Sequence, residues 1–301
     1  MNNPLVSFLT VNYQQAEVTG DLLRSLEALS YPHWECIVVD NGGPESNLEQ
    51  ICAPYDWVKF IRSDENLGFA GGNNLGYPAC KGDYIFLINN DTEVPEGFLE
   101  PILNFAEQHP QLGALSPLIH YYEPKGVVQY AGATPMNKIT LRNSGIGVGE
   151  VDKGQFKKAY QVPFTHGAAM LLPRKVIEQV GLMREDYFLY YEELDWCERI
   201  RQAGFEIWFV GHSYLWHKES VSTGVNSPLK TYYLNRNRLL FARRNYPWYI
   251  RLLNYLYFSL IAVPKNMLSL WRSGEKGQAQ AFWRAYTYNL SHKSSESADR
   301  Y

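Results

Sequence analysis

Two acidic stretches of this 301-residue chain hold residue types that could bind a metal ion and move a proton. The first is "NND", residues 89–91, where two amides and one carboxylate follow an apolar run. Oxygen ligands of this kind suit Mg²⁺ or Mn²⁺, and a cation held there could neutralise a phosphate leaving group. The second is "YYEELDWCERIRQAG", residues 190–204, whose carboxylates could deprotonate a substrate hydroxyl.

The second stretch predicts a helix that ends at Gly204, because glycine commonly follows the last helical residue. Within it, Glu193, Cys197 and Ile200 recur at i, i+4 and i+7. This spacing places Glu193 on the apolar side of the helix, beside Trp196. A carboxylate that points inward at the start of a helix is a candidate general base.

Two further carboxylates of this helix, Glu192 and Asp195, are predicted on its other side, where Asp195 can pair with Arg199 at i+4. We take Glu192, Glu193 and Asp195 as candidate catalytic residues. The structural alternative is that all three are present because the helix dipole favours acids near an N-terminus. For Asp91 the corresponding alternative is a helix cap or a turn.

The elements that must position these groups follow two alternating periods. Helical stripes, such as Leu22, Leu23, Leu26 and Leu29, alternate with short apolar runs that predict strands. Strands alternating with helices form a mainly parallel sheet covered on both faces, which is an α/β fold. The predicted strands cover residues 6–11, 36–39, 58–61 and 84–88, and a helix with Phe98, Ile102 and Phe105 on one face is expected to start at Pro95.

Polar residues follow each of the four predicted strands. Ligands of a parallel sheet bind beyond the carboxyl ends of its strands, so these residues should rim one cleft. The alternative is that Asn and Asp serve only as turn residues, and it weakens when four sets fall at one edge. The sets are Thr10 with Asn12, Asp40 with Asn41, Asp64 with Asn66, and Asn89 with Asn90 and Asp91.

The motifs of two common nucleotide sites are missing after the first strand, where neither G-x-G-x-x-G nor G-x-x-x-x-G-K-[ST] occurs. Glycines come later, in "NLGFAGGNNLG" (residues 66–76). There Gly68, Gly71 and Gly72 would let the backbone approach a ligand closely.

Charge is divided unevenly along the chain. Residues 229–301 carry 12 Lys and Arg against three acids, a net charge of +9, which leaves −12 for residues 1–228 of a total of −3. Because the basic residues of the tail come without any nucleic-acid motif, binding of nucleic acid is not expected. Residues 246–290 interleave aromatic side chains and Leu with Arg and Lys, which predicts helices on an anionic membrane surface. The alternative is a helical hairpin packed on the rest of the chain or on a second subunit.

Cysteine usage and the N-terminus predict a cytoplasmic location. Four scattered cysteines lack CxxC spacing, and the chain does not begin with a signal-peptide pattern. The longest apolar run, residues 252–263, is 12 residues long and contains Asn254. A helix that spans a membrane needs about 20. A peripheral position on the inner face of the cytoplasmic membrane would fit the basic tail.

Five segments resemble the motifs of family 2 glycosyltransferases, most closely the branch with bacterial rhamnosyltransferases. The resemblance covers about residues 5–245 and implies the two-subdomain GT-A fold, a nucleotide-sugar donor, a divalent metal and inversion at the anomeric carbon. The segments are "FLTVNYQ" (8–14), "VVDNGG" (38–43), "NLGFAGGNN" (66–74), "LINNDTEV" (87–94) and "FLYYEELDWCERIRQAG" (188–204).

The same resemblance implies a role for particular residues. The acidic motif maps onto residues 89–91, but Asn89 stands where a carboxylate often does, so Asp91 would need Glu93 or His217 to complete the metal shell. The acid pair that supplies the base maps onto Glu192 and Glu193, and which of them acts stays open. The donor-binding residues would be Thr10, Asn12, Asp40, Asn66, Gly68, Asn73, Asn74, Asn89, Asn90 and Arg236, and the acceptor or sugar pocket would hold His166, Gly167 and Trp196.

Three of these assignments have structural alternatives. His166 and His217 could be core or strand-end residues, and Arg236, in "NRNR" (residues 235–238), could lie on a solvated basic helix instead of clamping the diphosphate. The glycine-containing segment 139–155 is expected to be a mobile acceptor loop.

The sequence therefore predicts a metal-dependent GT-A glycosyltransferase. Residues 1–228 would form the catalytic domain, with a nucleotide-binding half at about 1–115 and an acceptor-binding half at about 116–228, and residues 229–301 a helical C-terminal region. The donor would be dTDP-rhamnose-like or a UDP-hexose, and the acceptor a hydroxyl of a cell-surface polysaccharide or lipid-linked saccharide.

Two other functions stay open. A nucleotidyltransferase would need a basic loop after the first strand, and "NYQQAEVTG" (residues 12–20) has no Lys or Arg. A non-catalytic nucleotide-sugar or glycan-binding protein would keep the aromatic residues and lose metal dependence.

Overall fold

The computed structural model describes residues 3–43, 47–218 and 227–292. Within these ranges the chain forms a ten-stranded mixed sheet flanked by helices. The strands are β1 (Val6–Asn12), β2 (Trp34–Asn41), β3 (Val58–Ser63), β4 (Tyr84–Ile88), β5 (Thr92–Glu93), β6 (Leu112–Tyr121), β7 (Val128–Tyr130), β8 (Ala159–Gln161), β9 (Ala169–Pro173) and β10 (Glu206–His217).

Ten α-helices accompany the sheet in the described ranges. They are α1 (Ala16–Glu27), α2 (Leu48–Cys52), α3 (Gly68–Gly76), α4 (Leu99–Gln108), α5 (Arg174–Val180), α6 (Glu192–Gln202), α7 (Pro228–Asn245), α8 (Trp248–Tyr257), α9 (Val263–Arg272) and α10 (Lys276–Ser291). A π-helical segment, Phe258–Ala262, joins α8 to α9.

The strand order is β3-β2-β1-β4-β9-β6-β10-β5, with β7 added to β6 and β8 added to β10. The first four strands in sequence are parallel neighbours, as their alternation with helices predicts. The second half is mixed, because β9 runs antiparallel to both β4 and β6 while β10 runs parallel to β6. All four predicted strands form, and each lies where its apolar run indicates.

Burial explains why these segments form their elements. Residues 36–39 of β2 are fully buried because helices cover both faces of this part of the sheet. On α1, Leu22, Leu23 and Leu26 form the buried stripe that their spacing predicts.

The helix expected to start at Pro95 begins later, at Leu99. Thr92 and Glu93 are still extended, because they pair with His217 and Trp216 at the end of β10. Pro95 therefore belongs to the connection between β5 and α4.

The segment predicted to be a mobile acceptor loop, residues 139–155, is tied to the sheet side of the protein. Backbone hydrogen bonds link it to residues 126–134, including Ile146 N to Gly132 O at 2.8 Å and Val128 N to Glu150 O at 2.8 Å. Leu141 is fully buried. Its order comes from long-range pairing, which its glycine content does not reveal.

The C-terminal region is helical, as predicted, and α7 packs along α10. Residues 239–242 of α7 lie in the same hydrophobic core as the sheet. The division into residues 1–228 and 229–301 stays a prediction. In the described part of the chain no helix is both long and apolar enough to cross a membrane. The four cysteines are buried and unpaired.

Candidate active site

A cavity of about 590 Å³ opens at the carboxyl ends of the parallel strands β1, β2 and β4. Eleven of the residues singled out from the sequence line it, which agrees with the rule for ligand sites in such sheets. They are Asn41, Asn66, Gly68, Asn89, Asn90, Asp91, His166, Gly167, Glu192, Glu193 and His217.

Asp91 and His217 meet inside this cavity. The end of β10 pairs with β5, which follows Asp91 directly, so His217 Nε2 lies 3.0 Å from Asp91 Oδ1. His217 Nδ1 lies 2.8 Å from Gln129 Oε1, an acceptor, so Nδ1 carries a proton. Nε2 is therefore the nitrogen that can offer a lone pair to a cation, beside a carboxylate oxygen.

This donor set fits a divalent cation. Asp91 Oδ1 is buried and, among the described residues, makes no hydrogen bond. Two lone-pair atoms 3.0 Å apart suit neighbouring ligands of one small ion. Protein Mg²⁺ sites often supply only one or two ligands, the rest being waters and substrate phosphates.

In the part of the chain that the structure describes, no group of three or more His, Cys, Asp or Glu side chains gathers, so Asp91 and His217 have no third ligand of these types beside them. Glu93, one of the two residues expected to complete the shell, instead pairs with Lys218 Nζ at 2.8 Å. His217, the other, is the one beside Asp91.

Three residues predicted to bind the donor, Thr10, Asn12 and Asp40, do not line the cavity. Asn12 Nδ2 donates to Asp40 Oδ1 at 3.2 Å, and Asn12 Oδ1 accepts from Thr19 Oγ1 at 3.1 Å. Asn90 Nδ2 donates to the same Thr19 oxygen at 3.1 Å. These buried polar groups form a network that joins the ends of β1 and β2 to residue 90 and so supports the cavity floor.

Gly68 is required by a close backbone approach. Its φ is +72°, and a Cβ there would lie 2.2 Å from Phe188 O. The neighbouring amide of Phe69 donates to that oxygen at 2.7 Å, and Asn41 Nδ2 donates to Gly68 O at 2.9 Å. The glycine motif therefore joins the start of α3 to the loop that precedes α6.

Asn73 and Asn74, expected to bind the donor, do not line the cavity. Asn73 Nδ2 donates to Phe69 O at 2.8 Å, within α3. Asn74 Nδ2 donates to Met183 O at 2.8 Å and Glu185 Oε1 at 3.0 Å. Both amides fix α3 in place and have no other visible role.

Glu192 and Glu193 are the acidic pair of the cavity. Glu192, expected on the side of α6 away from the apolar stripe, is only 3% exposed, whereas Glu193 is half-buried. Burial, and then the neighbouring Glu193, raise the pKa of Glu192 well above its ordinary value, and burial raises the pKa of Glu193. Each has a buried Oε2 without a hydrogen-bond partner in the described ranges. Gly167 leaves one side of Glu193 open, since a Cβ there would lie 3.7 Å from Glu193 Cγ.

Asp195 was predicted to be catalytic and Trp196 to lie in the acceptor or sugar pocket, but neither residue lines the cavity. Asp195 is fully buried and pairs with Arg199 at 3.1 Å, as the i+4 spacing predicts. It also accepts from Tyr187 Oη at 3.1 Å and Asn245 Nδ2 at 2.9 Å. Trp196 Nε1 donates to Gly181 O at 2.8 Å. These contacts make the two residues anchors of α6, with Asp195 held on its inward side.

His166 lies in the cavity as a neutral ring. Burial, and then the neighbouring His217, lower its pKa to about 3. Its Nδ1 accepts from the Ala168 amide at 3.1 Å, so the ring proton is on Nε2. His166 can therefore donate a hydrogen bond to a hydroxyl but is not a cation at neutral pH.

The loop before the acidic pair is strained. Phe188, Tyr190 and Tyr191 have φ values of +64°, +68° and +76°, a region that bulky residues rarely occupy. Glu192 follows immediately as the first residue of α6. Strain at such a position persists only where the surroundings enforce it.

Helix α7 enforces this conformation through Arg236 and Asn237, which are fully buried. Asn237 Nδ2 lies within hydrogen-bond distance of the Tyr187, Leu189 and Tyr190 carbonyls, at 2.9, 2.8 and 2.7 Å. Arg236 donates to the carbonyls of Asp186 and Tyr187. Arg236 does not line the cavity, so its observed contacts hold the loop, a role different from the predicted diphosphate contact.

The cavity also contains residues that the sequence analysis did not single out. Gln129 orients His217. Among the described residues that line the cavity, Lys230 is the single Lys or Arg. The sequence could have predicted the start of α7, because Ser followed by Pro is typical of a helix N-terminus. Ser227 Oγ accepts from Lys230 N at 3.2 Å, and Pro228 is the first helical residue. No sequence pattern marks Gln129.

Residues 7–181, more than half of the chain, match the sequence profile of Glycosyl transferase family 2. The chain belongs to this family. It is 29% identical over 240 residues to the low-salt glycan biosynthesis hexosyltransferase Agl10 of Haloferax volcanii, covering 78% of this chain and 74% of that protein. It is 25% identical over 238 residues to an N-acetylglucosaminyl-diphospho-decaprenol L-rhamnosyltransferase of Mycobacterium tuberculosis, covering 72% and 76%.

Solved structures of glycosyltransferases share the fold. GalNAc-T7, crystallised with UDP, GalNAc and Mn²⁺, superposes with a TM-score of 0.67 at 18% identity. The superposition covers 85% of this chain and 51% of GalNAc-T7. The mannosyltransferase PcManGT of Pyrobaculum calidifontis, in complex with GDP-Man and Mn²⁺, gives 0.58 at 13% identity over 97% of this chain and 88% of that one. The predicted GT-A fold and family 2 membership are confirmed.

Removing the Asn237 amide should impair catalysis more than donor binding. In Asn237→Ala the Tyr187, Leu189 and Tyr190 carbonyls lose their shared donor, and the acidic pair shifts. We expect kcat to fall about 10- to 100-fold with a smaller change in donor KM. Steady-state kinetics of nucleoside diphosphate release, with thermal unfolding alongside, would measure this.

The matched control is Asn235→Ala on the same helix, because Asn235 Nδ2 donates to Thr231 O within α7 and not to the loop before α6. Equal losses of kcat in the two variants would contradict a positioning role for Asn237.

Proposed function

We propose that this protein is a metal-dependent inverting glycosyltransferase that moves a sugar from a nucleoside diphosphate to an acceptor hydroxyl. The observation that carries the proposal is that one cavity holds both a cation-binding pair, Asp91 with His217, and an unsatisfied acidic pair, Glu192 with Glu193. Inverting transfer needs both functions, a stabilised leaving group and a base.

The substrates that we propose follow the relatives. Agl10 is named as a hexosyltransferase of glycan biosynthesis, and the mycobacterial relative as a rhamnosyltransferase acting on a lipid-linked sugar. A TarS structure with a TM-score of 0.60 contains UDP-GlcNAc. We infer a dTDP-rhamnose-like or UDP-hexose donor, and an acceptor on a cell-surface polysaccharide or a lipid-linked saccharide.

Asp91 and His217 would hold Mg²⁺ or Mn²⁺, which when bound neutralises charge on the diphosphate. Lys230, in the first turn of α7, supplies a further positive charge at the same cavity. The N-terminus of this 18-residue helix is itself favourable for an anion. Together these groups support a diphosphate position between β4 and α7.

Glu193 is the base that we favour, because it is half-buried beside the open side left by Gly167, whereas Glu192 is almost fully enclosed. The acceptor hydroxyl would give its proton to Glu193 as its oxygen attacks the anomeric carbon and the bond to the diphosphate breaks. A raised pKa makes this carboxylate a stronger base once it is ionised. His166 Nε2–H can orient a sugar hydroxyl without changing charge.

Asp91→Ala should abolish metal-dependent turnover. We would measure nucleoside diphosphate release from UDP-, dTDP- and GDP-sugars with and without Mn²⁺, and expect a loss of about 100-fold or more in the variant. The control is Asp64→Ala, which removes an exposed carboxylate that follows β3 but does not line the cavity.

Metal-dependent release by the wild type would support transfer over the two rival functions. Release that requires a nucleoside triphosphate instead of a sugar donor would indicate a nucleotidyltransferase. Calorimetric donor binding without any turnover, when acceptor saccharides are supplied, would indicate a binding protein.

Glu193→Gln should lose about 10²- to 10⁴-fold in kcat while donor affinity is retained, because the amide cannot accept the acceptor's proton. Activity of the wild type should rise with pH along a limb above 4.5, the ordinary pKa of a glutamate, because burial raises the pKa of the base. Unchanged kcat in Glu193→Gln would remove Glu193 from the mechanism.

Lys230→Gln should raise the donor KM about tenfold, since one charge contact to the diphosphate is lost. Lys230→Arg should restore most of the affinity, and Lys276→Gln, at the exposed start of α10, should have no effect. Donor titrations of the three variants test this, and equal KM values would exclude a diphosphate contact for Lys230.

A further inference from the structure

The stretch from α8 through the π-helical segment to α9, residues 248–272, is apolar on two sides. One side packs on the protein through Asn254, Phe258 and Ala262, which are buried at four-residue spacing. The other side exposes large side chains, with Leu260 72% and Trp271 77% exposed. Large apolar side chains on the solvent side of a helix normally pack against a neighbour, and in the described part of the chain these have none.

Contacts of the packed side fix which face is exposed. Asn254 Nδ2 donates to the Ile139 carbonyl at 2.9 Å and to the Lys138 carbonyl. Ile139 is itself 44% exposed and borders this stretch. The exposed side of residues 248–272 therefore faces away from the sheet.

Exposed apolar side chains are concentrated in this stretch. Nine of the sixteen exposed large hydrophobic residues in the described ranges fall between residues 248 and 271. A contiguous patch of this kind marks an interaction surface, whereas single exposed apolar residues are ordinary. The patch includes Trp248, Leu252, Leu256, Leu260, Ile261 and Trp271.

The charges within residues 248–272 have one sign. This stretch contains Arg251, Lys265 and Arg272 and no Asp or Glu. Next to it, Glu275, Lys276 and Arg284 are also exposed and add a net charge of +1. A second copy of the chain would bring the same positive charges to this face, whereas anionic lipid headgroups complement them.

We propose that the exposed face of residues 248–272 binds the surface of an anionic lipid bilayer. Leu252, Leu256 and Leu260 would lie at the boundary between headgroups and acyl chains, with Trp248 and Trp271 near the two ends. Lys265 and Arg272 would contact the anionic headgroups. This binding is separate from the proposed transfer reaction and needs neither donor nor metal.

Flotation of the full chain with vesicles tests the proposal. Wild-type protein should float with phosphatidylcholine vesicles that contain phosphatidylglycerol, and float less with pure phosphatidylcholine or at high salt. Leu256→Glu/Leu260→Glu should lower the partition coefficient about tenfold or more, because two apolar contacts are replaced by charges of the wrong sign. Leu75→Glu, an exposed leucine of α3 outside the patch, should float like the wild type.

Thermal unfolding and donor affinity of the variants would show that they are folded. Lys265→Gln/Arg272→Gln, which leaves the apolar patch intact, should weaken binding only to the anionic vesicles. Failure of the wild type to float would overturn the proposal, as would equal flotation of the Leu256/Leu260 variant. Dimers that dissociate in that variant, without flotation of the wild type, would assign the face to a second copy.

Discussion

The geometry of this site depends on one constraint, the left-handed backbone of the loop that precedes α6. Three bulky residues, Phe188, Tyr190 and Tyr191, hold conformations that cost about 1–3 kcal/mol each. The carbonyls of this loop are bonded to Asn237, Arg236 and the Phe69 amide, so relaxing the backbone would leave buried polar groups unpaired. Glu192 and Glu193 follow the loop directly, and their position is therefore determined jointly by α7 and by the glycine motif at α3.

Burial in the cavity shifts the pKa values of acidic and basic side chains in opposite directions. Burial raises the pKa of Glu192 and Glu193 and lowers the pKa of His166, so it disfavours the charged form of all three. A diphosphate and a cation would change this balance by bringing new charges into the cavity. The side chains of Asn12 and Asn90 are neutral amides that already share hydrogen bonds with Thr19, so they keep their charge when such ligands bind.

The sequence predicted the edge of the sheet at which the site lies, and it erred in which side chains face the cavity. Along β1, Val11 lines the cavity while Thr10 and Asn12 do not, and of the two residues predicted at the end of β2, Asn41 lines it while Asp40 does not. Successive strand residues point to opposite faces, so an error of one position exchanges the two sets. The short strands β5, β7 and β8 carry too few residues for a periodic signal, and the buried role of Arg236 depends on pairing with residues about 50 positions away.

The C-terminal helices contact the rest of the protein on one side and expose an apolar surface on the other. Through Asn237 and Lys230, α7 reaches the acidic pair and the cavity, and through Asn254, α8 is fixed to residues 138–139 of the sheet side. The inward contacts combine these hydrogen bonds with packing of residues 239–242, Phe258 and Ala262 in the same core as the sheet, so the rest of the fold determines how the helices are oriented. The apolar outward side of residues 248–272 is then carried at a fixed angle to the cavity, so a surface that binds it would also orient the cavity relative to that surface.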